Sequence, residues 1–179
     1  HANRFEGFTR RGMDDAMQIA LANGNLSILE WLHSNFPVDF RAKVLGLLAM
    51  DIVVREGHVH VAEWLWVKYQ AYCCLGGTID KTAMDGHLPM LEWLHANNFE
   101  GFATSTMNAA AAHGHLHVVE WLNANRSEGC TTDAIDRAAR NGRLSVVEWL
   151  HANRSEGCTT KAIECAIEKS AEDGHLPML

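Results

Sequence analysis

The stretch HGHLH places His113, His115 and His117 at alternate positions, and GHVH does the same with His58 and His60. Imidazoles this close together could ligate a metal or relay protons. Five cysteines, Cys73, Cys74, Cys130, Cys158 and Cys165, could add thiolate ligands or nucleophiles, and six tryptophans could stack a ligand. Zinc coordination needs further Cys or His at ligand spacing, and the cysteines do not provide it. The chain also lacks a Gly-rich phosphate loop, a nucleophile elbow and a catalytic triad. The sequence therefore reads as non-enzymatic, with no cofactor and no metal site.

Most of these residues occupy recurrent slots. The word G-x-[LV]-x-x-x-E-W-L aligns on Gly24, Gly57, Gly86, Gly114, Gly142 and Gly174, with steps of 33, 29, 28, 28 and 32 residues. Trp31, Trp64, Trp93, Trp121 and Trp149 form one column of that word and are expected in the core. His58, His87, His115 and His175 follow the Gly of their repeats, a regularity that suits a structural role better than a metal site. Cys73, Cys130 and Cys158 share a slot with Phe8, Phe40 and Phe102, which marks them as buried fillers. Equivalent cysteines in stacked repeats lie about 10 Å apart, too far for a disulfide. Reduced thiols in a cytoplasmic, intracellular setting follow, with secretion as the alternative.

The elements that position these residues can be read within one repeat. Asp133 to Asn141 forms a first helix, helix A, started by Thr131 and Thr132 as N-cap residues and ended by Gly142. Helix B starts near Ser145, the slot that holds Pro89 and Pro177 in other repeats, where the missing N–H costs nothing. Its apolar Val146, Val147, Trp149 and Leu150 recur at helical spacing, and Asn153 is expected as a left-handed C-cap. So short a helix pair cannot bury its apolar face alone, but stacked copies can.

From the finger Phe or Cys to the Gly, the repeats measure 16, 17, 13, 12, 12 and 16 residues. A surplus of four is about one helical turn. Repeats one, two and six should thus carry a longer helix A. The repeats run over residues 1–32, 33–65, 66–94, 95–122, 123–150 and 151–179, a single array. The chain opens at His1 inside a repeat word, which suggests a fragment of a longer array.

AARNGRLSVVEWL at 138–150 and AAAHGHLHVVEWL at 110–122 resemble the ankyrin repeat consensus, A-A-x-x-G-H-x-x-V-V-x-L-L. The resemblance extends over all six repeats and implies an all-α, ankyrin-type helical repeat solenoid of about six helix-turn-helix units. It also implies that the His after each Gly bonds to backbone. Two features depart from the family: the T-P-L-H signature is missing, and the 28-residue repeats have a shortened hairpin finger. The position of the signature His is filled by Gln18, Asp51, Asp80, Asn108, Asp136 and Glu168. This column reads as a polar ladder bridging neighbours, with an acidic recognition stripe as the sharper alternative.

The formal net charge of -7 and pI near 5.8 disfavour nucleic acid as a partner. No run of about 18 apolar residues is present to insert into a membrane. The family resemblance implies instead a monomeric module that binds another protein on the concave face of fingers and helices A. Its variable positions, just before the Gly, map to Arg55 and Glu56, Met84 and Asp85, Ala112 and His113, and Arg140 and Asn141, with Arg55, Met84, His113 and Arg140 as the expected contacts. Trp66, Lys68, Tyr69 and Tyr72 form an aromatic cluster in repeats two and three, which is either a binding hot spot or a repacked finger. A structural spacer in a larger protein, or a secreted effector acting on another organism's proteins, are the alternative functions. Asn25, Asn125 and Asn153 each begin a glycosylation sequon but also stand at helix ends, which gives them structural reasons to be there.

Overall fold

The computed structural model describes residues 10–37, 49–69 and 77–160. Ten helices and no strand occur among the described residues. They are α1 (Arg10–Ala22), α2 (Leu26–Asn35), α3 (Ala49–Arg55), α4 (Val59–Tyr69) and α5 (Thr78–Met84). These are followed by α6 (Leu88–Ala96), α7 (Thr104–His113), α8 (Leu116–Asn125), α9 (Thr132–Arg140) and α10 (Leu144–Asn153). Odd-numbered helices are helix A of a repeat and even-numbered ones helix B.

The chain forms two compact halves, His1–Thr78 and Ile79–Leu179. In the first, α1 packs on α2, α3 on α4, and α1 on α3. In the second, α7 packs on α8 and α9 on α10, while α9 lies on α7 and α10 on α8. First helices stack on first helices and second on second, which is the solenoid packing the repeat requires.

The core column is the Leu after each Trp: Leu32 and Leu65 in the first half, Leu94, Leu122 and Leu150 in the second, all 2% exposed or less. The Trp column is not core. Trp64, Trp93, Trp121 and Trp149 are half-buried, and Trp31 is 46% exposed. Each residue on a helix turns by about 100°, so Trp falls between the solvent-facing Glu before it and the buried Leu after it. The rings cover the flank of the stack: Trp121 meets His95 edge-on at 5.5 Å and lies 6.5 Å from Phe102.

Local signals at the helix starts were accurate. Thr131 caps α9 by accepting from the Asp133 N–H, and Pro89 sits in the first turn of α6. The helix B ends differ from expectation. Asn153 is the last residue of α10, not a left-handed cap, and Arg154 after it is extended. The Asn side chain instead folds back, its Nδ2 donating to the Trp149 carbonyl at 2.8 Å. Asn35, Asn97 and Asn125 make the same bond to Trp31, Trp93 and Trp121. An amide side chain one turn on can satisfy an orphan carbonyl without any unusual backbone angle. In the finger of repeat four Asn98 is the left-handed residue, with φ of 56°.

Helix α1 has 13 residues, against 10 in α7 and 9 in α9, so repeat one carries the extra turn. The same expectation for repeats two and six falls outside the described residues, as do Phe8, Phe40, Tyr72, Cys73, Cys74, Cys165, Glu168, His175 and Pro177.

Candidate partner-binding face

The side chains that join repeats also fix the surface between them. In the second half, Asp80 accepts from Thr106 Oγ1 at 2.7 Å. Asn108 donates to Thr131 Oγ1 at 2.8 Å and accepts from the Thr131 N–H at 3.1 Å. Asp136 accepts from the Thr159 N–H at 2.9 Å and its hydroxyl at 2.7 Å. Asn108 and Asp136 are 8% and 7% exposed. Their column in this half is an inter-repeat ladder rather than a recognition stripe, because its oxygens are consumed by the next repeat.

Histidines make the second set of joints. His58 Nε2 donates to the Ala22 carbonyl at 2.8 Å, and His60 Nε2 to that of Gly24 at 2.9 Å. In the second half His115 donates to Met84 O at 2.9 Å and His117 to Gly86 O at 3.2 Å. The imidazoles lie so close that a Cβ on Gly24 would stand 2.6 Å from His58 Nδ1, and one on Gly86 2.6 Å from His115 Nδ1. Burial pushes the His115 pKa below 6.5 despite its bond to the Met84 carbonyl, with His117, His113 and Arg143 adding like-charge repulsion. These contacts give the HGHLH motif a structural use in place of metal binding.

The fingers form a third joint. Arg126 stacks over Phe102, 4.4 Å from the ring centroid, bonds to His95 Nδ1 at 3.3 Å and pairs with Glu128. Arg154 donates to Asn123 Oδ1 at 3.0 Å and pairs with Glu156. Hydrogen bonds from their arginines hold the Glu128 and Glu156 carboxyls below the ordinary carboxylate range. Cys130 is buried, and that burial, with Glu156 nearby, pushes its thiol pKa up, so it is a filler. Cys158 is exposed, contrary to expectation. Arg154 and Glu156 cover Cys130 from one repeat on.

Met84, His113 and Arg140 end α5, α7 and α9, and the joints align them. His115 ties its turn to the Met84 carbonyl, and Asn141 Nδ2 donates to the Ala112 carbonyl at 2.7 Å. His113 and Arg140 are exposed and Met84 is half-buried. These three expected contact residues therefore share one edge of the second half.

The first-half set is not gathered in this way. Arg55 lies before α4 and pairs with Glu56 at 2.9 Å, whereas Lys68 and Tyr69 end that 11-residue helix, about 15 Å further along. Tyr69 is half-buried, its hydroxyl 2.5 Å from His33 Nδ1 and its ring edge-on to Trp64 at 5.6 Å. Lys68 lies over the Trp64 ring at 5.5 Å. Trp66 is half-buried, and its neighbour Val67 is 81% exposed. Tyr69 thus ties α4 to α2. Asn141, an expected contact position, is used as a joint to the Ala112 carbonyl; sequence reasoning missed Arg143, and the exchange of His for Arg after Gly142 was the available signal.

Two overlapping stretches, residues 79–123 and 109–151, match the family described as ankyrin repeats (many copies). None of the curated proteins compared with the chain matches it. Among the described residues, no helix is long and apolar enough to cross a membrane.

Proposed function

Since the chain carries ankyrin repeats, which are protein-interaction modules, we propose that it is a non-catalytic module binding its partner protein along the helix A edge of repeats three to five. Met84, His113 and Arg140 form the centre of this surface. The observation that carries the reading is their alignment: three variable helix ends held in one row by His115 and Asn141. A row of dissimilar side chains, half-buried at Met84 and exposed at His113 and Arg140, on an otherwise repetitive frame is what a specific interface needs. In the first half Tyr69 is engaged by His33 and Arg55 is paired with its own neighbour.

A photo-crosslinking residue placed at position 113 or 140 tests this. It should capture the same partner from both positions, and one placed at Glu148, exposed on a helix B, should not. Capture from 148 alone would put the partner on the other face and end this reading.

A further inference from the structure

We propose that the turn edge formed by His113, His117 and Arg143 docks an acidic, Asp- and Glu-rich segment of the partner protein. This deepens the preceding reading and rests on it. The chain carries a net charge of -7, and five cations among the described residues are held in local ion pairs. Arg55 pairs with Glu56, Lys81 with Asp85, Arg137 with Asp133, Arg126 with Glu128 and Arg154 with Glu156. Arg143 is exposed and makes no ion pair among the described residues. Its stem rests on Gly114, where a Cβ would meet Arg143 Cδ at 2.8 Å, so the guanidinium stands beside His113 and His115.

The histidines add donors whose direction is set by the bonds they already make. His113 Nδ1 donates to the Ala109 carbonyl at 3.0 Å, leaving Nε2 as the nitrogen that takes up a proton. His117 is the converse: Nε2 is committed to Gly86 O, so protonation occurs at Nδ1. His115 takes no part, because its Nδ1 lies against Gly86. In the acid form the edge therefore offers two new N–H groups beside a guanidinium, all suited to carboxylate oxygens. The other charged groups around it are Arg140 on the same edge, the Asp85–Lys81 pair on the preceding turn and Glu120, three residues after His117. A carboxylate-bearing ligand would shift the balance toward the protonated state.

The test is fluorescence anisotropy of the intact chain with a labelled alternating Glu-Ala peptide, at low salt and at about pH 6 and about pH 7.5. Binding should tighten at the lower pH by about threefold or more, and Arg143→Gln should weaken it about fivefold at both. His113→Gln with His117→Gln should abolish the pH effect, while Arg55→Gln, in the other half, should change nothing. Melting temperatures identify any variant that fails to fold, and the two histidines are then changed singly. No peptide binding, or equal loss in Arg55→Gln, overturns the proposal, while crosslinks from positions 113 and 140 would still stand for the face itself. A phosphoserine peptide bound more than about tenfold tighter than the Glu peptide would overturn the carboxylate assignment in favour of phosphate.

Discussion

Asn108 offers a quantitative test of the ladder, because the chain already contains the control. Its amide makes two hydrogen bonds to Thr131, one to the hydroxyl and one from the backbone N–H. Asn108→Ala removes both, at about 1 kcal/mol each, so the loss should be about 2 kcal/mol in urea denaturation. Thr131→Val removes the hydroxyl bond to Asn108 together with the cap on the Asp133 N–H, and the double-mutant cycle, in which the cap loss cancels, should report a coupling of about 1 kcal/mol. Asn108→Asp should cost less than about 0.5 kcal/mol, since Asp136 accepts from Thr159 in the same slot through both its N–H and its hydroxyl. The hydroxyl simply reverses, donating where it had accepted. If Asn108→Asp were as damaging as Asn108→Ala, the ladder would depend on side-chain shape and not on hydrogen-bond exchange.

Leu150→Ala should cost about 2 to 5 kcal/mol, because Leu150 is wholly buried, while Trp149→Ala, half-exposed, should cost roughly half of the 3 to 5 kcal/mol of a core Trp; chemical denaturation that ranks them the other way would return the Trp column to the core. Gly86→Ala should destabilise by more than about 1 kcal/mol, since its φ is +79° and the new Cβ would sit 2.6 Å from His115 Nδ1. The penalty should fall in a His115→Ala background, and an unchanged penalty would assign it to backbone strain alone. His33 and His115 titrate below 6.5 in the folded chain, so the unfolded chain binds more protons in that range. Their contribution is complete above pH 6.5 and is lost as pH falls towards their folded values; a melting temperature that rises on acidification from 6.5 would contradict this.

The repeat period made the fold legible, because hydrophobic spacing and turn residues were written several times in register. Thr131, Pro89 and the extra turn of α1 were readable for that reason. The errors share a cause: periodicity places a residue around a helix but not the depth of the neighbour it meets. Trp121 and Leu122 are adjacent letters of one word, yet only Leu122 points along the line between stacked helices. Asn153 stood where a left-handed cap was plausible, but its amide could reach the Trp149 carbonyl, which relieved the backbone of that task.

The candidate site shows the same division more sharply. Slots before each Gly were identified by alignment, and they do share an edge in the second half, because every such slot ends a first helix. Arg55 and Tyr69 are separated by the length of α4, and Tyr69 is engaged by His33 and Trp64. The Tyr69 hydroxyl reaching His33 does in that half what Arg126 reaching His95 does in the other. In both, a side chain of the later repeat donates to the Nδ1 of the His two residues after the preceding Trp. Two different donors serving one acceptor slot indicate that the joint, rather than the donor's identity, is what the array must keep. That leaves the helix A ends, whose side chains can vary without breaking a joint, as the positions free to specialise for a partner.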